Sequence, residues 1–222
     1  MSKAQRLRAA SKAGTVQFVE PMYAQLVQNL PDGKDWLYEV KFDGYRCLAG
    51  RDAAGVTLWS RRGNDFTAQF ANIAKGCEQL PSGTVLDGEI VAIDESGCIS
   101  FNLLQHHRSR AQALLFYVFD LLMYRGINLL SEPLTTRREV LSKLMKPLSR
   151  KATAISLSET IDASPAELIS VVKEFGFEGL VAKRKDSFYE SGKRSGAWVK
   201  YKVNKGQEFV IGGIHPAIRS TH

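Results

Sequence analysis

The chain has 222 residues, 44% of them hydrophobic and 24% charged, with a net charge of +7. That is enough chain and apolar content for one large globular domain, or one domain plus a fragment, and no apolar run approaches the ~20 residues that would span a bilayer. Three cysteines (Cys47, Cys77 and Cys98) with no CxxC pair argue against a disulfide framework or a structural zinc site, and for a reducing, cytoplasmic setting.

Residues 1–15 open as "MSKAQRLRAASKAG", basic but without the apolar stretch of a secretory signal. They read as a disordered tail, with an amphipathic presequence as the weaker alternative. The run "WLYEVKF" is strand-like and leads through Asp43-Gly44 into "YRCLAG". "RDAAG" turns and "VTLWSR" returns, which predicts a three-stranded meander over 36–61. "DFTAQFANIAKGCEQL" spaces Phe66, Phe70, Ile73 and Leu80 for a helix, with Asp65 placed as its cap. "GTVLDGEIVAID" predicts a strand or a tight hairpin, "FNLLQHHRSRAQA" a helix and "LLFYVFDLLMY" a buried strand. "TTRREVLSKLMKPL" is an amphipathic helix. So is "SPAELISVVKEFG", with Ser164 as N-cap, Pro165 in the first turn and Gly176 as the stop. "EGLVAKR" and "AWVKYK" are late strands. Strands and helices without regular alternation favour an α+β fold with a mainly antiparallel sheet.

Charge is unevenly spread. Residues 1–13 hold Lys3, Arg6, Arg8 and Lys12 with no acid, and residues 183–205 set eight bases against Asp186 and Glu190. Two basic concentrations suggest a polyanion, either nucleic acid or nucleotide phosphate, although solubility plus a tail explains the charge equally well.

Side chains alternate across a strand, so Trp36, Tyr38, Val40 and Phe42 share a packing face while Glu39, Lys41 and Asp43 share the other. A lysine between two acids on a solvated edge is common. Other stretches add to it. Asp87 and Glu89 project together from an apolar strand, Glu178 enters another, and Trp198, Lys200 and Lys202 share a face. Together these supply an amine, oxygen ligands for a divalent cation and a cationic pair for phosphate. That set suits nucleotidyl transfer, which needs a nucleophile for the α-phosphorus of a nucleoside triphosphate, a metal ion and bases around the phosphate. A free lysine has a pKa of ~10.4, so a nucleophilic lysine must be biased toward its neutral form by about 4 kcal/mol.

The whole set resembles the nucleotidyltransferase domain of ATP-dependent DNA ligases. "KFDGYR" matches their Lys-x-Asp-Gly-x-Arg nucleophile motif, and "SRRGNDFT" their following segment. "LDGEIV", "FYVFDLL", "EGLVAK" and "WVKYK" match later motifs in order. The flanks "FVEPMYAQLV", "YESGKRSGAWVKYK" and "EFVIGG" are most similar to the bacterial DNA ligase D group of end joining, and the resemblance runs from about Phe18 to Gly213. It implies the ATP-grasp-like α+β core of that family over residues 16–206, with ATP, donating AMP, and Mg²⁺ or Mn²⁺ as cofactors. It implies nicked or broken double-stranded DNA as the substrate.

Carried over by position, the resemblance makes Lys41 the residue that forms lysyl-AMP. It puts Glu39, or its backbone, at adenine, with Phe119 stacked on the base. Arg46 approaches the ribose or the nick phosphate, Arg61 lies near the DNA end or the nucleotide, and Arg62 approaches DNA. Glu89 binds ribose or metal, and Glu178 metal. Lys200 and Lys202 hold the α-phosphate, with Arg194 and Lys183 nearby, and Asp43 orients its neighbours. Read from the residues alone, Phe119 is a core aromatic, Arg61 and Arg62 a solvated turn, Asp87 a turn brace, Lys183 a strand end, and His106 and His107 helix-surface residues. Ligases of this family continue into an OB-fold domain. Residues 207–222 look like its entry or a tail, which puts the first step, attack on ATP, in doubt unless such a domain or end-joining proteins act in trans. The resemblance thus implies an enzyme, with an adenylate and nick-end binding module as the alternative. RNA ligases and capping guanylyltransferases share the core motif.

Overall fold

In the computed structural model the described residues are 15–106, 113–149 and 154–203. The predicted tail (apart from Thr15), His107 and the expected OB-domain entry at 207–222 lie outside them.

The strands are β1 (Gln25–Leu26), β2 (Trp36–Lys41), β3 (Tyr45–Asp52), β4 (Gly55–Ser60), β5 (Thr84–Ile93), β6 (Ala113–Tyr124), β7 (Ile127–Asn128), β8 (Ile155–Leu157), β9 (Thr160–Ile161), β10 (Gly179–Arg184) and β11 (Trp198–Lys202). The helices among the described residues are α1 (Ala71–Cys77), α2 (Phe101–Gln105), α3 (Leu134–Ser149) and α4 (Pro165–Glu174). The first sheet runs β1-β11-β10-β2-β9. The second runs β4-β3-β5-β6-β7, with β8 also paired to β6. Every pairing is antiparallel except β1 with β11 and β6 with β8, so the predicted mainly antiparallel α+β fold is what forms.

Alternation decides what each sheet packs against. Tyr38, Leu180, Ala182 and Val199 of the first sheet bury against Leu168 and Val172 of α4. Cys47, Ala49, Leu86 and Val118 of the second sheet pack with Ile73 and Cys77 of α1 and Leu141 and Met145 of α3. A third cluster, containing Met22, Leu48, Val85, Phe119, Tyr189 and Trp198, joins strands of both sheets. α4 begins as predicted. The Ser164 hydroxyl accepts from the Glu167 backbone N–H while the Glu167 carboxylate accepts from Ser164 N, a reciprocal cap. Gly176 ends it at φ +69°, a left-handed conformation suited to glycine.

Two local expectations change, and two are narrowed. The meander over 36–61 does not form. β2 pairs with β10 and β9, and only β3 and β4 make a hairpin, because the chain crosses from one sheet to the other at Phe42–Gly44. Gly44 presses against β5 so closely that a Cβ would lie 2.1 Å from the Ile90 carbonyl oxygen, so this glycine serves a close approach rather than a hairpin turn. Asp65 does not cap a helix. It accepts from Thr67 N in a local turn and bridges to Trp59, and the helix starts only at Ala71 after an uncapped Phe70. The segment 84–93 is one long strand, because β3 and β6 flank it on both sides and leave no edge for a hairpin. Of the helix expected over "FNLLQHHRSRAQA", α2 covers Phe101–Gln105.

Candidate active site

A cavity lies where the two sheets face each other. The first sheet lines it with Glu39, Val40 and Lys41 of β2, Val181 and Lys183 of β10, and Trp198 and Lys200 of β11. The second contributes Arg46, Glu89 and Phe119, and loops add Tyr23, Ala24, Phe42, Arg61 and Arg194. Val40 and Phe42, expected on the packing face, also reach this wall. The strand ends there, and Phe42 stacks on Tyr117 with ring centroids 4.3 Å apart.

Lys41 is a guarded amine, its side chain only 18% exposed. It donates to the Glu178 carboxylate just ahead of β10, and Lys202 pairs with the other oxygen of that carboxylate at 3.0 Å. Strand register explains the meeting, since Gly179 is the cross-strand partner of both Lys41 and Lys202. Burial alone pushes Glu178 up, but the bonds from Lys41 and Lys202 outweigh it and hold the carboxyl below its usual value. Neither Glu178 nor Lys202 lines the cavity wall itself; they stand behind Lys41. Asp43, beside them, is pushed up by burial and by the Glu178 charge.

Glu89 faces this group from β5. Burial drives its carboxyl up to about 7, against the downward pull of Arg46 and Lys41. Lys200 is lowered by burial and by the like charges of Lys41, Arg194 and Lys202.

Arg46, expected at ribose or the nick phosphate, lines the cavity but is already committed. Its Nε and Nη2 donate to the two oxygens of Asp87 at 2.6 and 2.7 Å, a bidentate pair. Asp87 therefore does not brace its turn. It is fully buried, anchors Arg46 and accepts a 2.7 Å bond from the Tyr189 hydroxyl. Burial raises that hydroxyl well above its ordinary range, with the Asp87 charge adding to it.

Phe119 is both a core aromatic and a cavity wall. β6 carries an extra residue opposite β5, since Asp87 faces Asp120 and Gly88 faces Val118, and Phe119 is the residue left between them. Its ring takes the Arg46 guanidinium at 4.6 Å and the Lys183 ammonium at 4.3 Å. Lys183 is no strand end in solvent. It is 2% exposed, bonded at 3.0 Å to Glu39, and lies 4.4 Å from the Trp198 ring. Burial lowers its pKa.

Arg61 and Arg194 share the Tyr23 ring at the cavity rim, at 4.5 and 6.0 Å. Arg62 is exposed in the turn after β4 and does not line the cavity, and His106 is exposed at the end of α2. Of the predicted site residues, the structure sets Glu178 and Lys202 against Lys41 off the cavity wall, leaves Arg62 apart, and brings the others to the wall itself. The sequence reading missed Tyr23, Tyr189, Ser158 and Arg138, which converge only through loop and helix packing.

A family model described as the ATP dependent DNA ligase domain matches residues 18–202. The chain belongs to that family. This ligase domain is 39% identical over 179 residues to the multifunctional non-homologous end joining protein LigD of Mycobacterium bovis, covering 80% of the chain and 23% of that protein. It is 34% identical to LigD of Pseudomonas aeruginosa over 95% of the chain and 25% of the relative. Among solved structures it matches mycobacterial DNA ligase D complexed with ATP and MES, with a TM-score of 0.74 and 35% identity over 83% of this chain and 60% of that one. The ligase domain therefore spans only a fraction of each of these proteins.

Proposed function

We propose that this ligase domain forms a lysyl-AMP intermediate from ATP and passes the AMP to a DNA 5′-phosphate for nick or end joining. The observation that carries the reading is Lys41, held by Glu178 at the wall of the cavity between the two sheets, with Glu89 and Lys200 on the same wall and Lys202 on the same carboxylate.

For reaction, Lys41 releases one proton to water and leaves Glu178 as a neutral amine. Its Nζ forms a bond to the α-phosphorus while the bond to pyrophosphate breaks; pyrophosphate departs with the electron pair and a second Nζ proton passes to water, giving a phosphoramide. Lys202 stays on Glu178 and keeps that carboxylate compensated. Lys200, its ammonium destabilised by burial and by the like charges around it, lines the same cavity and offers a donor to the α-phosphate oxygens. In the second step a DNA 5′-phosphate oxygen displaces Lys41 from phosphorus. Arg61 and Arg194 at the rim, with Arg62 beyond it, supply positive charge for the incoming strand.

A divalent cation fits the site in one form. The described residues contain no cluster of three or more His, Cys, Asp or Glu side chains. Glu89 lines the cavity with Lys41, which Glu178 holds, and the Glu178 charge reaches Glu89; such a pair suits Mg²⁺ or Mn²⁺ that takes one or two carboxylates and completes its shell with phosphate oxygens and water. Bound there, it would neutralise triphosphate charge. No helix among the described residues is long and apolar enough to cross a membrane. Double-stranded DNA, an OB-fold domain and end-joining proteins are the partners this reading calls for.

The test is incubation with α-labelled ATP and Mg²⁺. An acid-labile, base-stable adduct that disappears in Lys41→Ala is the expected result. Labelling retained in Lys41→Ala removes Lys41 as the nucleophile. Tight ATP binding with no adduct in the unaltered protein supports a binding module instead, and a preference for GTP supports capping chemistry.

A further inference from the structure

The Glu39 carboxylate is gripped by residues of three separate segments. Lys183 Nζ is 3.0 Å from Oε1, the Arg138 guanidinium is 3.7 Å from the same oxygen, and the Ser158 hydroxyl donates to Oε2 at 2.9 Å. All four residues are buried, at 9% exposure or less. Arg138, on α3, and Ser158, between β8 and β9, lie outside the motif stretches, and neither lines the cavity. Arg138 also donates to the backbone oxygens of Phe119 at 3.2 Å and Ser158 at 2.6 Å. One guanidinium therefore ties the acid to the backbone of the aromatic wall and to the segment that supplies the hydroxyl.

Such an arrangement leaves Glu39 little freedom. Oε1 faces two cations, and Oε2 spends one lone pair on Ser158 and keeps the other. Glu39 itself does line the cavity. A fixed buried acceptor in a cavity wall favours a ligand that presents a donor to it and disfavours one that presents an oxo group or nothing, because the acceptor is then left unpaired or repelled.

We propose that Arg138 and Ser158 are positioning residues for nucleobase selection, holding the Glu39 carboxylate as an acceptor for an exocyclic amino group. The proposal rests on the ATP reading above and adds the device that would discriminate ATP from its 6-unsubstituted and 6-oxo analogues. A purely structural role for the two residues would weaken binding of every purine nucleotide alike. A positioning role weakens ATP selectively.

The experiment measures dissociation constants by calorimetry, in Mg²⁺, for ATP, purine riboside triphosphate (which lacks the 6-amino group) and GTP. It compares the unaltered protein with Glu39→Gln, Arg138→Met, Arg138→Lys and Ser158→Ala, each checked by thermal melting. The unaltered protein should prefer ATP over purine riboside triphosphate by about tenfold or more. Arg138→Met and Ser158→Ala should each erode that preference by roughly threefold or more, mainly by weakening ATP, with partial recovery in Arg138→Lys. If Arg138→Met fails to fold, Ser158→Ala and Arg138→Lys decide. An unchanged preference in folded variants, or an equal loss for both nucleotides, overturns the positioning role. Equal binding of the two nucleotides by the unaltered protein overturns selection through Glu39 while leaving the ATP reading intact. No ATP binding at all defeats both.

Discussion

Replacing Gly44 with alanine adds one methyl group where the chain passes from the first sheet to the second. That methyl carbon would sit 2.1 Å from the Ile90 carbonyl oxygen and 3.0 Å from Glu89 Cγ, whereas ordinary contact begins near 3.4 Å. The neighbour at closest range is backbone of a central strand, paired on both sides, and has nowhere to go. The crossing must therefore retreat by about 1 Å. Lys41 is three residues upstream and Arg46 two residues downstream, so the retreat separates the amine from Glu89 and disturbs the Arg46–Asp87 pair together. A misplacement of that size costs about a hundredfold in a positioned reaction, or ~2.7 kcal/mol of activation free energy. Overpacking alone costs about 1–3 kcal/mol of stability. The assay is the time course of lysyl-AMP formation by intact-protein mass spectrometry, run beside urea unfolding. Wild-type labelling kinetics with an undiminished unfolding midpoint would refute the argument that this contact sets the geometry of the site.

Lys200→Ala with Lys202→Ala should reduce AMP transfer by more than about tenfold, a loss above ~1.4 kcal/mol, in single-turnover kinetics; an unchanged rate removes Lys200 from the phosphate and Lys202 from the support of Glu178. Glu89 has a folded-state pKa of about 7 against the usual 4.5, so between those values the folded protein holds a proton that the unfolded chain has released. Stability should therefore fall as pH rises from 4.5 to 7, by at most about 3 kcal/mol, and Glu89→Gln should remove that contribution in urea titrations across the range; a pH slope that survives the substitution assigns it elsewhere. Asp120 and Arg137 form a pair buried at 0% exposure on both sides, with bonds of 2.8 and 2.7 Å. Asp120→Ala strands the guanidinium and should cost about 3–5 kcal/mol in chemical denaturation, most of it recovered when Arg137 becomes methionine as well; a cost under about 1 kcal/mol contradicts the pairing.

Much of the candidate site was readable in the strands because period-two alternation is local. "WLYEVKF" puts Glu39 and Lys41 on one face, "WVKYK" does the same for Trp198 and Lys200, and both pairs line the cavity. The same rule failed for the Asp43-Gly44 step. An Asp-Gly pair between two strands satisfies a hairpin as well as a crossing, and only the partners available to β2, namely β10 and β9, distinguish the two. Phe119 was legible only in part. Periodicity assigned it to the core, where it is buried, but its place on the cavity wall goes with an extra residue in β6 relative to β5, and pairing register is not local information.

By itself the sequence determined the residue types, the period-two pattern of most strands, the cap of α4 and the family, because each depends on contacts within a few residues or on motifs in order. Tertiary structure alone decided which charges neutralise one another. Arg46 with Asp87, Lys183 with Glu39, and Lys41 with Glu178 are separated by 41, 144 and 137 positions. Coulomb attraction between buried groups depends on their distance in space and on the water excluded around them. Neither quantity exists until two sheets have closed over a shared cavity.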